Sequence, residues 1–185
     1  MITFNTPRLL EKGISTAYME LDPDTSKVSS SIKETLERYH CSPGDAQPFI
    51  VTIYAYDINN RQVMMGMAEC VYHKKLAALA LGEDYRSCRQ LLYLNMLFIE
   101  SEYEKCGIAT SVLEHITELI DAEMGSSIGA IILSPVPQYR NSDGRIVQLP
   151  FGTEFFIKYL KLIDFYAKRD FSFCQSRSLM GKRIA

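Results

Sequence analysis

The chain has 185 residues, 47% hydrophobic and 23% charged, with a formal net charge of -2. That length suits one domain with a substantial core, and no apolar run approaches the ~20 residues needed to cross a bilayer, which argues against a membrane partner. Near-neutral charge offers no electrostatic footprint for nucleic acid, and Met1 to Arg8 lacks the basic-then-apolar pattern of a secretory or transit signal, so a cytoplasmic location is expected.

Cys41, Cys70, Cys88, Cys106 and Cys174 form no C-x-x-C pair and no zinc-like spacing with His40, His73 or His115. Free thiols and no metal are expected.

Ile14 to Leu21 alternates loosely as a first strand, Asp22-Pro23-Asp24 ends it, and Thr25 or Ser26 can cap a helix running to about Tyr39. Cys41 to Asp45 breaks that helix. Pro48 to Tyr56 and Gln62 to His73 are rich in Val, Ile, Tyr and Met and flank Asp57-Ile58-Asn59-Asn60, the pattern of a β-hairpin. Leu76 to Gln90 reads as a short helical piece and a loop. Leu91 to Ile99 is a nearly unbroken apolar run, a buried strand.

After Gly107, apolar residues recur at Ile108, Val112, Ile116, Leu119 and Ile120, which predicts an amphipathic helix closed by Gly125-Ser126-Ser127. Ile128 to Leu133 is a second short apolar strand, and strand-helix-strand order predicts a right-handed crossover that sets it parallel to the first. Ser134 to Gly152 is a polar excursion longer than the usual connection, of a length often tied to function. Phe155 to Tyr166, apolar on nearly every side, predicts a helix packed on two faces, and Phe171 to Ile184 fits a closing hairpin.

A buried strand that turns through glycine into a helix start can direct unpaired backbone amides and a positive dipole end at phosphate. Here Leu97-Phe98-Ile99-Glu100-Ser101-Glu102-Tyr103 leads into Glu104-Lys105-Cys106-Gly107-Ile108-Ala109, and Thr110 to Leu113 continue the helix. This segment resembles the signature of the GNAT (GCN5-related) N-acetyltransferases, a buried strand followed by Gln/Arg-x-x-Gly-x-Gly/Ala. Phe165-Tyr166-Ala167-Lys168-Arg169-Asp170-Phe171 is similar to the family's helix-ending Tyr-x-x-x-Gly-Phe. The resemblance covers roughly Pro48 to Arg183. Glu104 departs from it where Gln or Arg is usual, Asp170 stands for the glycine, and Tyr159 replaces a frequent asparagine.

The resemblance implies an α/β fold with a mixed, mostly antiparallel central sheet flanked by helices, as a single domain over the whole chain. It implies acetyl-coenzyme A as co-substrate, its pantetheine arm paired with Leu97, Phe98 and Ile99. The diphosphate would lie against Glu104, Lys105, Cys106, Gly107, Ile108, Ala109 and Thr110. It also implies direct acetyl transfer to a primary amine, on a small molecule or a protein, with Tyr166 protonating the departing thiolate; a homodimer is compatible with it. Amine attack needs a base, and Glu69 and Glu100 are the candidates, although each also fits a solvent-facing carboxylate. Cys106 fits a small residue in a tight turn as well as a low-pKa thiol at a helix start. An alternative is a non-catalytic member of the fold that binds acyl-coenzyme A or a protein.

Overall fold

A computed structural model describes residues 1–22, 24, 46–73, 81–85, 87–88, 90–125 and 127–184. The helix expected near residues 26 to 39, the break after it and residues 76–80, 86 and 89 of the segment 76 to 90 lie outside the described residues. Within the last of these, Glu83–Tyr85 forms one 3-10 turn.

Ten strands and three helices are described: β1 (Ile2–Phe4), α1 (Pro7–Glu11), β2 (Ala17–Asp22), β3 (Ala46–Tyr56), β4 (Gln62–His73), β5 (Leu91–Ile99), α2 (Ile108–Met124), β6 (Ala130–Leu133), β7 (Gln138–Arg140), β8 (Ile146–Gln148), α3 (Thr153–Ala167), β9 (Ser172–Phe173) and β10 (Met180–Arg183). Eight strands form one sheet in the order β1-β2-β3-β4-β5-β6-β10-β9, in which β5 and β6 are the one parallel pair and the other pairs are antiparallel. The expected mixed, mostly antiparallel sheet is therefore observed.

The 3.6-residue repeat of α2 buries Ile108, Val112, Ile116 and Ile120 against one sheet face, where they meet Val51 and Ile53 of β3 and Leu92 and Leu94 of β5. Each such side chain stabilises the fold by about 2 kcal/mol through burial alone. Gly125 ends α2 in the left-handed conformation at φ 62°, its N–H donating to the Asp121 carbonyl across 2.8 Å. A second cluster, with Val71, Tyr85, Leu91, Tyr93 and Ile132, fills the other face at the β6 end.

One expectation is corrected and one is extended. Within the long polar segment Ser134 to Gly152, β7 and β8 pair as a separate two-stranded sheet. Asn141 makes that turn by accepting, through its side chain, the N–H groups of Asp143 and Arg145. By contrast, α3 is not packed on two sides. It buries Phe155 and Tyr166, the latter in the main core cluster, while Phe156, Ile157 and Leu160 are 58%, 51% and 65% exposed and none of the described elements covers them.

Candidate active site

The site begins where β5 changes partners. Along β6 it pairs only from Leu91 to Leu94, whereas along β4 it continues to Ile99 opposite Gly66. Register shifts at that point, with Glu69 opposite Met96 and Cys70 opposite Leu94, so Asn95 is the extra residue of a β-bulge. A bulge increases local twist and turns the outer end of the strand away from its neighbour. Beyond the bulge, Met96 to Ile99 are not paired with β6.

Close contact with β4 is kept on the other side by Gly66, where a Cβ would lie 2.4 Å from the Phe98 carbonyl oxygen. Leu97, Phe98 and Ile99 are half-buried there.

From Ile99 a single 3-10 turn, Ser101–Tyr103, carries the chain to the glycine loop. Lys105 at φ 61° and Gly107 at φ 87° are both left-handed, two such residues within three positions, which folds the backbone into a concave turn. For Lys105 that conformation costs about 1 kcal/mol, strain that a functional backbone shape accounts for. Among the described residues no side chain caps the start of α2. Its first backbone bond is Ser111 N–H to the Gly107 carbonyl at 3.1 Å, so the amides of Gly107, Ile108, Ala109 and Thr110 have no partner among the described residues.

The side chains around this turn divide by role. Ile108 and Cys106 are buried and offer the site only their backbone, while Glu104 and Lys105 project to solvent. Thr110 accepts from Arg169, through Nε at 3.1 Å and through Nη2, which leaves the threonine O–H free to donate. Arg169 also donates to the Phe165 carbonyl at 2.7 Å and lies 3.7 Å above the Phe165 ring. It therefore ties the end of α3 to the first turn of α2. Sequence reasoning missed this cation, since nothing in a single chain pairs Arg169 with a threonine 59 positions away.

Tyr166 is 7% exposed, held edge-on between Phe165 and Phe171, with no hydrogen-bond partner for its hydroxyl among the described residues. Burial pushes its phenol up to about 12, with the Arg169 charge pulling the other way.

The two candidate carboxylates differ sharply. Glu69 is 2% exposed, and the Asn95 side-chain amide donates to its Oε2 at 2.7 Å. Glu100 is partly exposed and pairs with Arg140 of β7, whose guanidinium also lies 5.1 Å from the Phe98 ring centroid. Arg140 thus fastens the β7–β8 hairpin to the free end of β5. That contact, too, was outside the reach of sequence reasoning.

β5 and β6 pair in parallel and part after Leu94, a bulge sits at Asn95, and a left-handed loop opens α2. The fold is α/β, with a mixed, mostly antiparallel sheet. No protein-family model matches the chain, and no curated protein matches it. Among solved structures it is similar to a mutant of KacT, with 12% identity, 90% of this chain and 94% of that chain covered, and a TM-score of 0.49. It is also similar to AtaT complexed with acetyl-methionyl-tRNAfMet, at 12% identity and TM-score 0.47, covering 90% of this chain. Naa50 of Arabidopsis thaliana, in complex with the bisubstrate analogue CoA-Ac-MVNAL, has 15% identity and TM-score 0.44, with 91% of this chain and 99% of that chain covered. At this distance in sequence the chain's own geometry has to carry its function.

Among the described residues no group of three or more His, Cys, Asp or Glu is placed to hold a metal ion, and no helix is long and apolar enough to cross a membrane. Cys70, Cys88, Cys106 and Cys174 are free thiols.

Proposed function

We propose that the protein is an N-acetyltransferase that takes acetyl-coenzyme A and passes the acetyl group directly to a primary amine on a small molecule or a protein. The observation that carries this reading is the fork at Asn95. It leaves Met96 to Ile99 of β5 unpaired by β6 and leads, from eight residues after Ile99, to the amides of Gly107 to Thr110, which have no partner among the described residues. One ligand with an amide-bearing arm and a diphosphate would satisfy both groups of unpaired backbone.

In this reading the pantetheine arm adds to β5 at Leu97, Phe98 and Ile99, and the diphosphate meets the loop from Glu104 to Thr110. The contacts of that loop are backbone N–H groups, so the acidic Glu104, whose side chain is exposed, does not displace the ligand. The amine nitrogen attacks the thioester carbonyl carbon, a C–N bond forms, the C–S bond breaks, and sulfur leaves as the thiolate. Tyr166 supplies the hydrogen bond and the proton to that sulfur. With its phenol pushed up to about 12 it keeps its proton at every ordinary pH, and its value lies in stabilising the charge that develops on sulfur. The proton lost by the amine goes to Glu69, the buried carboxylate that the Asn95 side-chain amide orients across 2.7 Å. Glu100, already engaged with Arg140, is the weaker candidate.

Incubating the purified protein with acetyl-coenzyme A and a panel of primary amines, while following free thiol, tests this. Amine-dependent thiol release that Tyr166→Phe lowers supports transfer. Tight binding of acetyl-coenzyme A with no release from any amine supports the non-catalytic alternative.

A further inference from the structure

The glycine loop is gripped from behind by a segment some hundred residues away in sequence. Thr6 Oγ1 donates to the Cys106 carbonyl, and Arg8 Nη1 donates to the Lys105 carbonyl at 2.8 Å. Thr6 also packs on Gly107, where a Cβ would lie 3.1 Å from the Thr6 methyl carbon.

In a trans peptide unit the carbonyl and the N–H point in opposite directions. The unit whose carbonyl Thr6 holds is the one whose N–H belongs to Gly107, so this grip turns the Gly107 N–H to the far side, where it has no partner among the described residues. Arg8 fixes the preceding unit, next to the left-handed Lys105, through a charge-assisted bond. The grip is itself anchored. Thr6 accepts the Leu9 N–H at 3.3 Å as the cap of α1, Leu9 is fully buried, and β1 is paired with β2.

We propose that the β1 to α1 segment is a brace that presets the loop amides for a diphosphate, with Thr6 and Arg8 as positioning residues that never touch the ligand. This rests on the reading that the loop holds the coenzyme A diphosphate. Without the brace, the strained turn at Lys105 to Gly107 is free to relax, and binding has to re-form it.

The test compares two donors, acetyl-coenzyme A and S-acetylpantetheine, which shares the thioester and the amide arm and carries no phosphate. Their Kd values are measured on the wild type, Thr6→Val, Thr6→Ser and Arg8→Ala. Thr6→Val and Arg8→Ala each weaken acetyl-coenzyme A by about three- to tenfold, as expected for one lost hydrogen bond, and leave S-acetylpantetheine unchanged. Thr6→Ser, which keeps the hydroxyl, stays close to wild type. Equal losses for both donors, or no loss for either, overturn the brace while leaving the site reading intact. A wild type that binds neither donor overturns both.

Discussion

Asn95 donates its side-chain amide to Glu69 at 2.7 Å, and Asn95 is also the bulge residue at which β5 parts from β6. The same residue therefore opens the cleft and orients the buried carboxylate nearest the opening. If Glu69 receives the amine proton, Glu69→Gln lowers kcat by about 100-fold while leaving the KM for acetyl-coenzyme A near wild type. Steady-state kinetics on both substrates checks this, and an unchanged kcat removes Glu69 from the mechanism.

Tyr166→Phe removes one oxygen from a buried ring and is expected to lower kcat by about 100-fold with little loss of donor affinity. Because burial raises the phenol from 10.0 to about 12, no loss of activity on Tyr166 ionisation is expected below about pH 11.

The same shift has a stability consequence. Between pH 10 and 12 the unfolded chain has released the Tyr166 proton and the folded one keeps it, so the contribution is fully present below pH 10 and falls as pH rises through 12. It is on the order of 2 to 3 kcal/mol. Urea unfolding of wild type and Tyr166→Phe between pH 8 and 12 should show the variant losing less stability over that window.

Gly66→Ala probes the fork without touching a side chain that does chemistry. The added carbon would lie 2.4 Å from a backbone oxygen, that of Phe98, which cannot swing aside. A loss of about 2 to 3 kcal/mol is expected, together with weakened binding of acetyl-coenzyme A as β5 shifts. A melting temperature equal to wild type would show that β4 and β5 are not held as close as described.

Glu100 and Glu69 can be separated by one further substitution. Glu100→Gln breaks only a partly exposed ion pair to Arg140, so kcat should change by less than about fivefold. A fall comparable to that of Glu69→Gln would exchange their assignments.

Much of this fold was legible in the sequence because its signals are local. Gln62–His73, Leu91–Ile99 and Ile108–Met124 have the bounds that their composition, apolar runs and helical repeat mark out. The loop at Gly107 was legible for the same reason, since a left-handed turn before a helix asks for glycine.

What escaped depends on contacts between distant parts of the chain. The bulge at Asn95 has no signature of its own in an apolar strand, and the ties of Thr6 to Cys106, Arg169 to Thr110 and Arg140 to Glu100 join residues 100, 59 and 40 positions apart. The exposed Phe156, Ile157 and Leu160 misled for a different reason: hydrophobicity predicts burial only where another element arrives to cover it.

The most direct test of a coenzyme A site at the fork and the glycine loop is a calorimetric titration of the purified protein with acetyl-coenzyme A. One site per chain with a Kd of about 1 to 100 μM is predicted. No binding heat with the ligand raised to about 1 mM would contradict it.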